Sequence, residues 1–595
     1  MKNWLLKTFL PQGSSFELFL RTLYHRINAT KPVVNYQLRQ AQRSYIRWRK
    51  LQKNQVQPQS ETPVDFPSVT FILEINNGEE AAAQETLHSI IRTGGRCWKV
   101  LPIFTTGDTS KFDFNVTGAD ALLPSVSGVE ALPAIDGLTD SDFLCLCRAG
   151  DLFDFTLAVH FKNKLLNNPN ADVYYYDCEI QQHNAGSPLP FFKPSALSPE
   201  LMFSINYLSR GFIRRSSLAG KTKPQFPVLP LLAYEYDLML NLVEQKSDIV
   251  HIAHVLASLM PDNREQGVAI DSVIENHLRA KGYNEVSIGH INGQRKINWQ
   301  TGDPSVSIII LSYNHGDWLR ALVHSIFEVT DYSNYSLVIV DNASTDTDVL
   351  QYYSELKANQ RVKIVPYNKP FNYSEAINTG AANAEGEIIV ILNNDMQIIE
   401  ANWLRELVQW AAQPGIGVVG AKLLHRNRSI QHAGIILGMN GFVGHLYLNA
   451  PENYHGLAGS VDWYRNFNAL TGACQAVRRD LFHQVGGYDE RFRLVFGDID
   501  FCLRVIDAGL RNLFNPHSVI IHYKGGSRGY ETPADDTLLG FRELAGLLQR
   551  DDLYFSPNLT YTRIPQCNLA VDSSNKRLMR IRQREQRLTQ TRKSK

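Results

Sequence analysis

The sequence predicts an α/β protein made of two copies of one unit, each a largely parallel sheet with helices on both faces. Three observations carry this. Each copy opens with a β-branched run followed by an amphipathic helical pattern, and the second adds another apolar run, "YSLVIVDNASTD"; that alternation gives parallel strands covered by helices. Segments also repeat. "PSVTFILEINN" (Pro67 to Asn77) matches "PSVSIIILSYN" (Pro304 to Asn314), "LHSII" at Leu87 matches "VHSIF" at Val323, and "FIRRSSL" at Phe212 matches "AVRRDLF" at Ala476. Three matches in one order imply a unit of roughly 235 residues, far larger than a solenoid repeat. Finally, 595 residues with 44% hydrophobic and 20% charged content suit several packed domains.

From the N-terminus, the elements follow in order. Phe16, Phe19, Leu20, Leu23, Tyr24 and Ile27 recur at helical spacing behind Ser14 and Glu17, a capping-box pair, so an amphipathic helix is expected. Its apolar face is expected to dock on a neighbouring domain more readily than on a membrane. A polar stretch from about Gln40 to Asp65 reads as a linker, completing an N-terminal segment of residues 1–65. The first copy then occupies residues 66–300 and the second 301–560. Residues 561–595 form a tail that is strongly basic from Lys576 to Lys595, where Glu585 is the single acid. Such a tail is expected to be solvated, with anionic lipid as the rival partner. Net charge is +1, which gives no case for nucleic acid. No apolar run approaches the roughly 20 residues that span a bilayer, and the opening "MKNWLLKTFLPQ" is too soon broken by proline for a signal peptide. Seven cysteines show no paired framework, and Cys145 and Cys147 lie in an apolar run. A cytoplasmic setting is expected.

The polar residues cluster by position in the predicted sheet. In the second copy one run ends at Ser312, Tyr313 and Asn314, another at Asp341, and "IIVIL" stops at Asn393, Asn394 and Asp395. In open α/β sheets ligands bind outside the carboxyl ends of the strands. Three strand ends that are polar together are more than turn chemistry requires.

These segments, with "KPFNYSEAINTGAANAEGEIIVILNND", "GAKLLHRNRSIQHAGIILG", "TGACQAVRRDLFHQVGGYDERF", "FGDIDFCLR" and "HYKGGSRG", resemble the family-two glycosyltransferases of GT-A fold, above all the multidomain O-antigen, capsule and rhamnosyl-type enzymes of bacteria. The resemblance covers nearly all of residues 304–530. It implies an inverting transferase that moves a sugar from a nucleotide-diphosphate donor, UDP- or dTDP-linked, to a hydroxyl of a surface polysaccharide or lipid-linked glycan. By resemblance Asn393-Asn394-Asp395 takes the place of the Asp-x-Asp motif. Asp395 would bind a divalent cation, Mn2+ or Mg2+, with His522 as a further ligand. Ser312, Tyr313, Asn314, Asp341, Asn378, Gly380, Asn393 and Asn394 would line the nucleotide sugar, and Ser527 and Arg528 would lie near the diphosphate. Asp498 takes the place of the catalytic aspartate, a general base worth about 10²–10⁴-fold, while Asp500 is expected to hold the helix start or the loop. The chain departs from the family pattern at Ile377, where an arginine is common, and at Tyr523 to Gly525.

The first copy has Arg148-Ala149-Gly150 where the second has Asn393-Asn394-Asp395. Glu235 roughly answers to Asp498, and no histidine answers to His522. A degenerate domain with a structural or acceptor-binding role is therefore expected, beside two competing readings: a polymerase with both domains active, and a non-catalytic glycan-binding scaffold. Peripheral contact with the cytoplasmic face of the inner membrane completes the expectation.

Overall fold

The computed structural model describes residues 43–52, 67–105 except 96, 122–123, 126–127, 139–182, 188–218, 230–261, 264–299, 302–523 except 315, 533–548 and 550–561, with isolated positions 32 and 36. The amphipathic segment at Phe16, the basic tail, Ser527 and Arg528 lie outside them.

Two large sheets contain the repeated segments. Along the main path of the first, which Leu189–Phe191 joins from the side, the strands are β1 (Val69–Ile75), β2 (Trp98–Phe104), β3 (Val126–Ser127), β4 (Phe143–Arg148), β5 (Leu152–Phe153), β6 (Val173–Ile180), β7 (Phe212–Arg214) and β8 (Ile249–Leu259). The main path of the second, joined from the side by Ile430–His432 and Arg465–Phe467, holds β9 (Val306–Ser312), β10 (Tyr335–Asp341), β11 (Val362–Pro366), β12 (Ile388–Leu392), β13 (Met396–Ile398), β14 (Ile416–Leu424), β15 (Cys474–Arg478) and β16 (Arg511–His522). The orders are β3-β2-β1-β4-β7-β6-β8-β5 and β11-β10-β9-β12-β15-β14-β16-β13, so each strand of the second sheet sits where its counterpart eight numbers lower sits in the first. Both sheets are largely parallel, but β15 and β13 run against their neighbours, as β7 and β5 do.

Local chemistry explains the strands that build the edge. All five residues of β12 are apolar and at most 2% exposed, each such side chain contributing about 1.5–3 kcal/mol on burial. Helix α1 (Tyr373–Ala382) precedes β12 and is capped by Asn372, whose side chain accepts from Glu375 N. It packs tightly on the sheet: a Cβ on Gly380 would lie 2.4 Å from Ile309 Cγ2. Gly380 is thus a packing glycine that lets helix and sheet approach.

Residues 43–52 are helical, where composition suggested a linker. Tyr45 and Trp48, one helical turn apart, are buried against Phe192, and Arg49 pairs with Asp154 at 2.8 Å. Their apolar stripe was hidden among arginines and glutamines.

The two units are bound closely. Glu200 receives Arg511 Nη2 at 2.6 Å, Ser198 Oγ donates to Asn466 Oδ1 at 2.8 Å, and Trp463 Nε1 donates to Gln294 Oε1 at 2.7 Å. Residues near the end of the described chain join both: Asn558 Nδ2 donates to Asp177, and Leu553 O accepts from Ser195 and Ala196. Strand β16, which ends at His522, is therefore anchored at its start by the first unit. Among the described residues no helix is long and apolar enough to cross a membrane.

Candidate functional site

Pairing brings the strand ends to one edge. Ser312 faces Asp341 in the β9–β10 register, and Ile310 faces Leu392, the last residue of β12. In the β13–β16 pair Met396 faces His522. Asp395, one residue earlier, is thereby brought against His522: its Oδ1 lies 3.1 Å from His522 Nε2, and both residues are buried. Tyr523 N also donates to Asp395 O at 2.9 Å, which fixes the turn.

The pair suits a divalent cation. Two ligands about 2.1 Å from a cation at a right angle lie about 3.0 Å apart, close to the separation seen. His522 Nδ1 is buried without a hydrogen-bond partner among the described residues, so no second contact locks the ring into a different role. Among the described residues no group of three or more His, Cys, Asp or Glu side chains could hold a metal. Among the described residues, the further ligands left to the pair are substrate oxygens, water or amides, as hard cations accept.

Across the edge stands Asp498. It belongs to the first turn of α2 (Gly497–Asp507), and one carboxylate oxygen accepts from Gly472 N at 2.7 Å. The other accepts from Ile499 N at 2.9 Å. The preceding residue, Phe496, has φ +72°, a conformation costly for a bulky side chain. Its surroundings impose it. Asp536 accepts from the three backbone amides of Arg493, Leu494 and Val495, and the Phe442 ring meets Phe496 edge-on at 4.6 Å. Asp500 points elsewhere and pairs with Arg504 at 2.8 Å. Burial pushes its carboxyl above the ordinary range, with Arg504 opposing. Arg504 in turn binds the carbonyls of Val485 and Gly487, so Asp500 braces that turn.

The other expected residues divide into two sets. Ser312 is buried, Tyr313 is 51% exposed, and Asn394 is buried beside Asp395. Asp341 Oδ1 accepts from Ser344 N and from the Tyr353 hydroxyl. Asn314, at φ +47°, accepts from Thr345 N and Asp346 N, so its amide ties the β9 end to the loop after β10. The Asn378 amide is engaged on both sides by the Tyr488 backbone, at 2.8 Å each way. It braces the Gly486–Tyr488 turn.

Two participants were not anticipated. Gly472 holds Asp498, and the hydroxyl of Tyr373 lies 3.0 Å from Gly472 O and 3.2 Å from Asn393 Oδ1. An aromatic directly after a helix cap, in "PFNYSEA", was the available signal, but nothing local says which way it points.

The same edge of the first unit is filled differently. Val69 pairs with Phe143 as Val306 pairs with Ile388, so Arg148 takes the register of Asn393 and Gly150 that of Asp395. Asp151, fully buried, accepts from Arg210 Nε at 2.8 Å and from Met260 N at 3.0 Å. Glu235, also fully buried, accepts from Arg210 N at 2.6 Å. Burial pushes Glu235 up to about 7, with Arg210 opposing. A guanidinium between carboxylates occupies this edge, and Leu259 stands in the register of His522.

Comparison with known proteins agrees on one part of the chain. Residues 307–486 match the family described as Glycosyl transferase family 2. The chain is similar, at 32% identity over 71% of its length, to an uncharacterized protein, y4gI, of Sinorhizobium fredii, of which it covers 49%. It is similar, again at 32% identity over 71% of its length, to the O-antigen biosynthesis protein RfbC of Myxococcus xanthus, of which it covers 34%. The chain thus spans half or less of the length of these relatives. A solved mannosyltransferase from Pyrobaculum calidifontis, in complex with GDP-Man and Mn2+, aligns with 48% of this chain and 74% of its own at 20% identity and a TM-score of 0.32, too loose an overlap to argue from.

Proposed function

The chain carries a glycosyltransferase family 2 domain, and from that premise we propose that it transfers a sugar, with inversion, from a nucleoside-diphosphate donor to a hydroxyl of a surface polysaccharide or lipid-linked glycan. The observation that carries the reading is a juxtaposition. Asn393 N donates to Ala473 O at 3.0 Å, and Asp498 accepts from Gly472 N, so one short segment joins the Asp395–His522 pair to the Asp498 carboxylate.

In this reading Asp395 and His522 hold Mn2+ or Mg2+, which when bound neutralises charge on the departing diphosphate. Asp341, Asn393 and Asn394 accept from nucleoside hydroxyls or base, and Tyr313, exposed and next in the chain to Ser312, offers its ring to the same ligand. Asp498 takes the proton of the acceptor hydroxyl as that oxygen attacks the anomeric carbon. The new carbon–oxygen bond forms opposite the one that breaks, nucleoside diphosphate leaves, and configuration inverts. Gly472 N–H and Ile499 N–H each hold one oxygen of the base and so fix the plane of the carboxylate, whose remaining lone pairs take the proton.

The first unit is proposed as a degenerate copy with a structural role. Its buried Arg210 pairs with Asp151 and Glu235, so a guanidinium already neutralises those two carboxylates. Peripheral attachment to a cytoplasmic membrane face through the basic tail belongs to the same proposal, and pelleting with anionic vesicles tests it.

The test of the transfer reaction is release of nucleoside diphosphate from a panel of UDP-, dTDP- and GDP-sugars, with Mn2+, Mg2+ or EDTA. Metal-dependent turnover of one donor is expected. Absence of both turnover and donor binding, with a lipid-linked acceptor supplied, would overturn the reading in favour of a scaffold.

A further inference from the structure

The Tyr373 hydroxyl has one proton and two acceptors beside it, Gly472 O at 3.0 Å and Asn393 Oδ1 at 3.2 Å. Two acceptors cannot share one proton at full strength, and an amide can present either end to the same neighbour. We propose that Tyr373 is a positioning residue for Asn393: the hydroxyl donates to Gly472 O and accepts from the Asn393 amide nitrogen, which turns the Asn393 oxygen toward the donor as a fixed acceptor for a ribose hydroxyl.

The surroundings favour this polarity. Gly472 O is a backbone carbonyl and can only accept, so the hydroxyl proton belongs to it. The Asn393 side chain then has to supply the donor, and only its amide nitrogen can. Tyr373 is itself fixed. It opens α1 behind the Asn372 cap, its N donates to Arg493 O at 2.6 Å, and its ring lies 6.4 Å from the Tyr488 ring. Its neighbour Ser374 donates to Phe492 O at 2.6 Å. The residue is therefore held by the same segment, 492–496, that leads into Asp498. Tyr373 touches neither donor nor acceptor in this scheme; it sets which atom of Asn393 does.

This inference rests on the donor-binding reading of the edge. The test measures UDP and dTDP affinity by calorimetry with Mn2+ for the full chain, and for Tyr373→Phe, Asn393→Ala and the double variant, each checked for an unchanged melting temperature. Expected is a loss of about five- to tenfold on Tyr373→Phe, the worth of one hydrogen bond, and less than about twofold for the same change made in Asn393→Ala, because coupled residues are not additive. In turnover the loss falls on the donor KM and leaves kcat nearly unchanged. Equal losses in both backgrounds would mean that Tyr373 supports the fold alone, and the inference would be wrong while donor binding stood. No binding of either nucleotide by the wild type would remove the donor reading and this inference with it.

Discussion

Glu200 of the first unit grips Arg511 at the head of the strand whose last residue is His522, with both Nε and Nη2 of the guanidinium within 3.2 Å of the carboxylate. The carboxylate is buried, and the guanidinium is about one third exposed. The strand that carries a proposed metal ligand is thus tensioned from outside its own unit.

Glu200→Ala is therefore expected to cost about 1–2 kcal/mol after discounting for solvent screening at Arg511. Residues 301–560 made alone are expected to be far less stable than the whole, since Trp463, Tyr464 and His517 lose their partners Gln294, Ile297 and Arg295. Calorimetry should show one shared unfolding transition in the full chain; two well-separated transitions would count against this coupling.

Replacing Asp395 or His522 by alanine is expected to reduce metal-dependent turnover on the order of a hundredfold or more, because a cation's charge stabilisation is worth several kcal/mol. The check is turnover against Mn2+ concentration. A variant that keeps the wild-type metal dependence would remove that residue from the metal site.

The two acids of "FGDIDFCLR" should separate cleanly. Asp498→Asn is expected to lower kcat by about 10²–10⁴-fold with donor affinity nearly kept. Asp500→Asn should leave kcat within a few-fold and lower the melting temperature, since Arg504 loses the partner that aims it at Val485 and Gly487. Reversed phenotypes would exchange the roles.

Glu235 predicts a pH dependence of stability. Its folded value of about 7 lies above the ordinary 4.5, so the folded chain keeps a proton that the unfolded chain gives up. Stability is then full below about pH 4.5 and is lost as pH rises toward 7, by roughly 3 kcal/mol in all. Melting temperatures of wild type and Glu235→Gln from pH 4.5 to 8 should show that loss for wild type and a flatter profile for the variant. Parallel profiles would assign the dependence to other groups.

Much of this was legible in the chain itself. The three repeated segments foretold two sheets, and those sheets have the same strand order. Apolar runs ending in Asp341 and in Asn393 to Asp395 marked the edge, because strand length and side-chain burial are written locally. What asparagines 314 and 378 do was not legible: both types suit a ligand or a turn, and only their neighbours show the amides spent on Thr345, Asp346 and Tyr488. The helix at residues 43–52 was missed because two aromatic residues in a charged stretch carry little signal until Phe192 is brought beside them.

The sequence by itself determined the alternation of elements, the duplication and the chemical types at the strand ends, all properties of short segments. Tertiary structure alone decided that His522 meets Asp395 across 127 residues, that Arg210 fills the first unit's edge, and that Glu200 holds Arg511. Those pairings depend on strand register and on the packing of one unit against the other, and neither is encoded in any local stretch of chain.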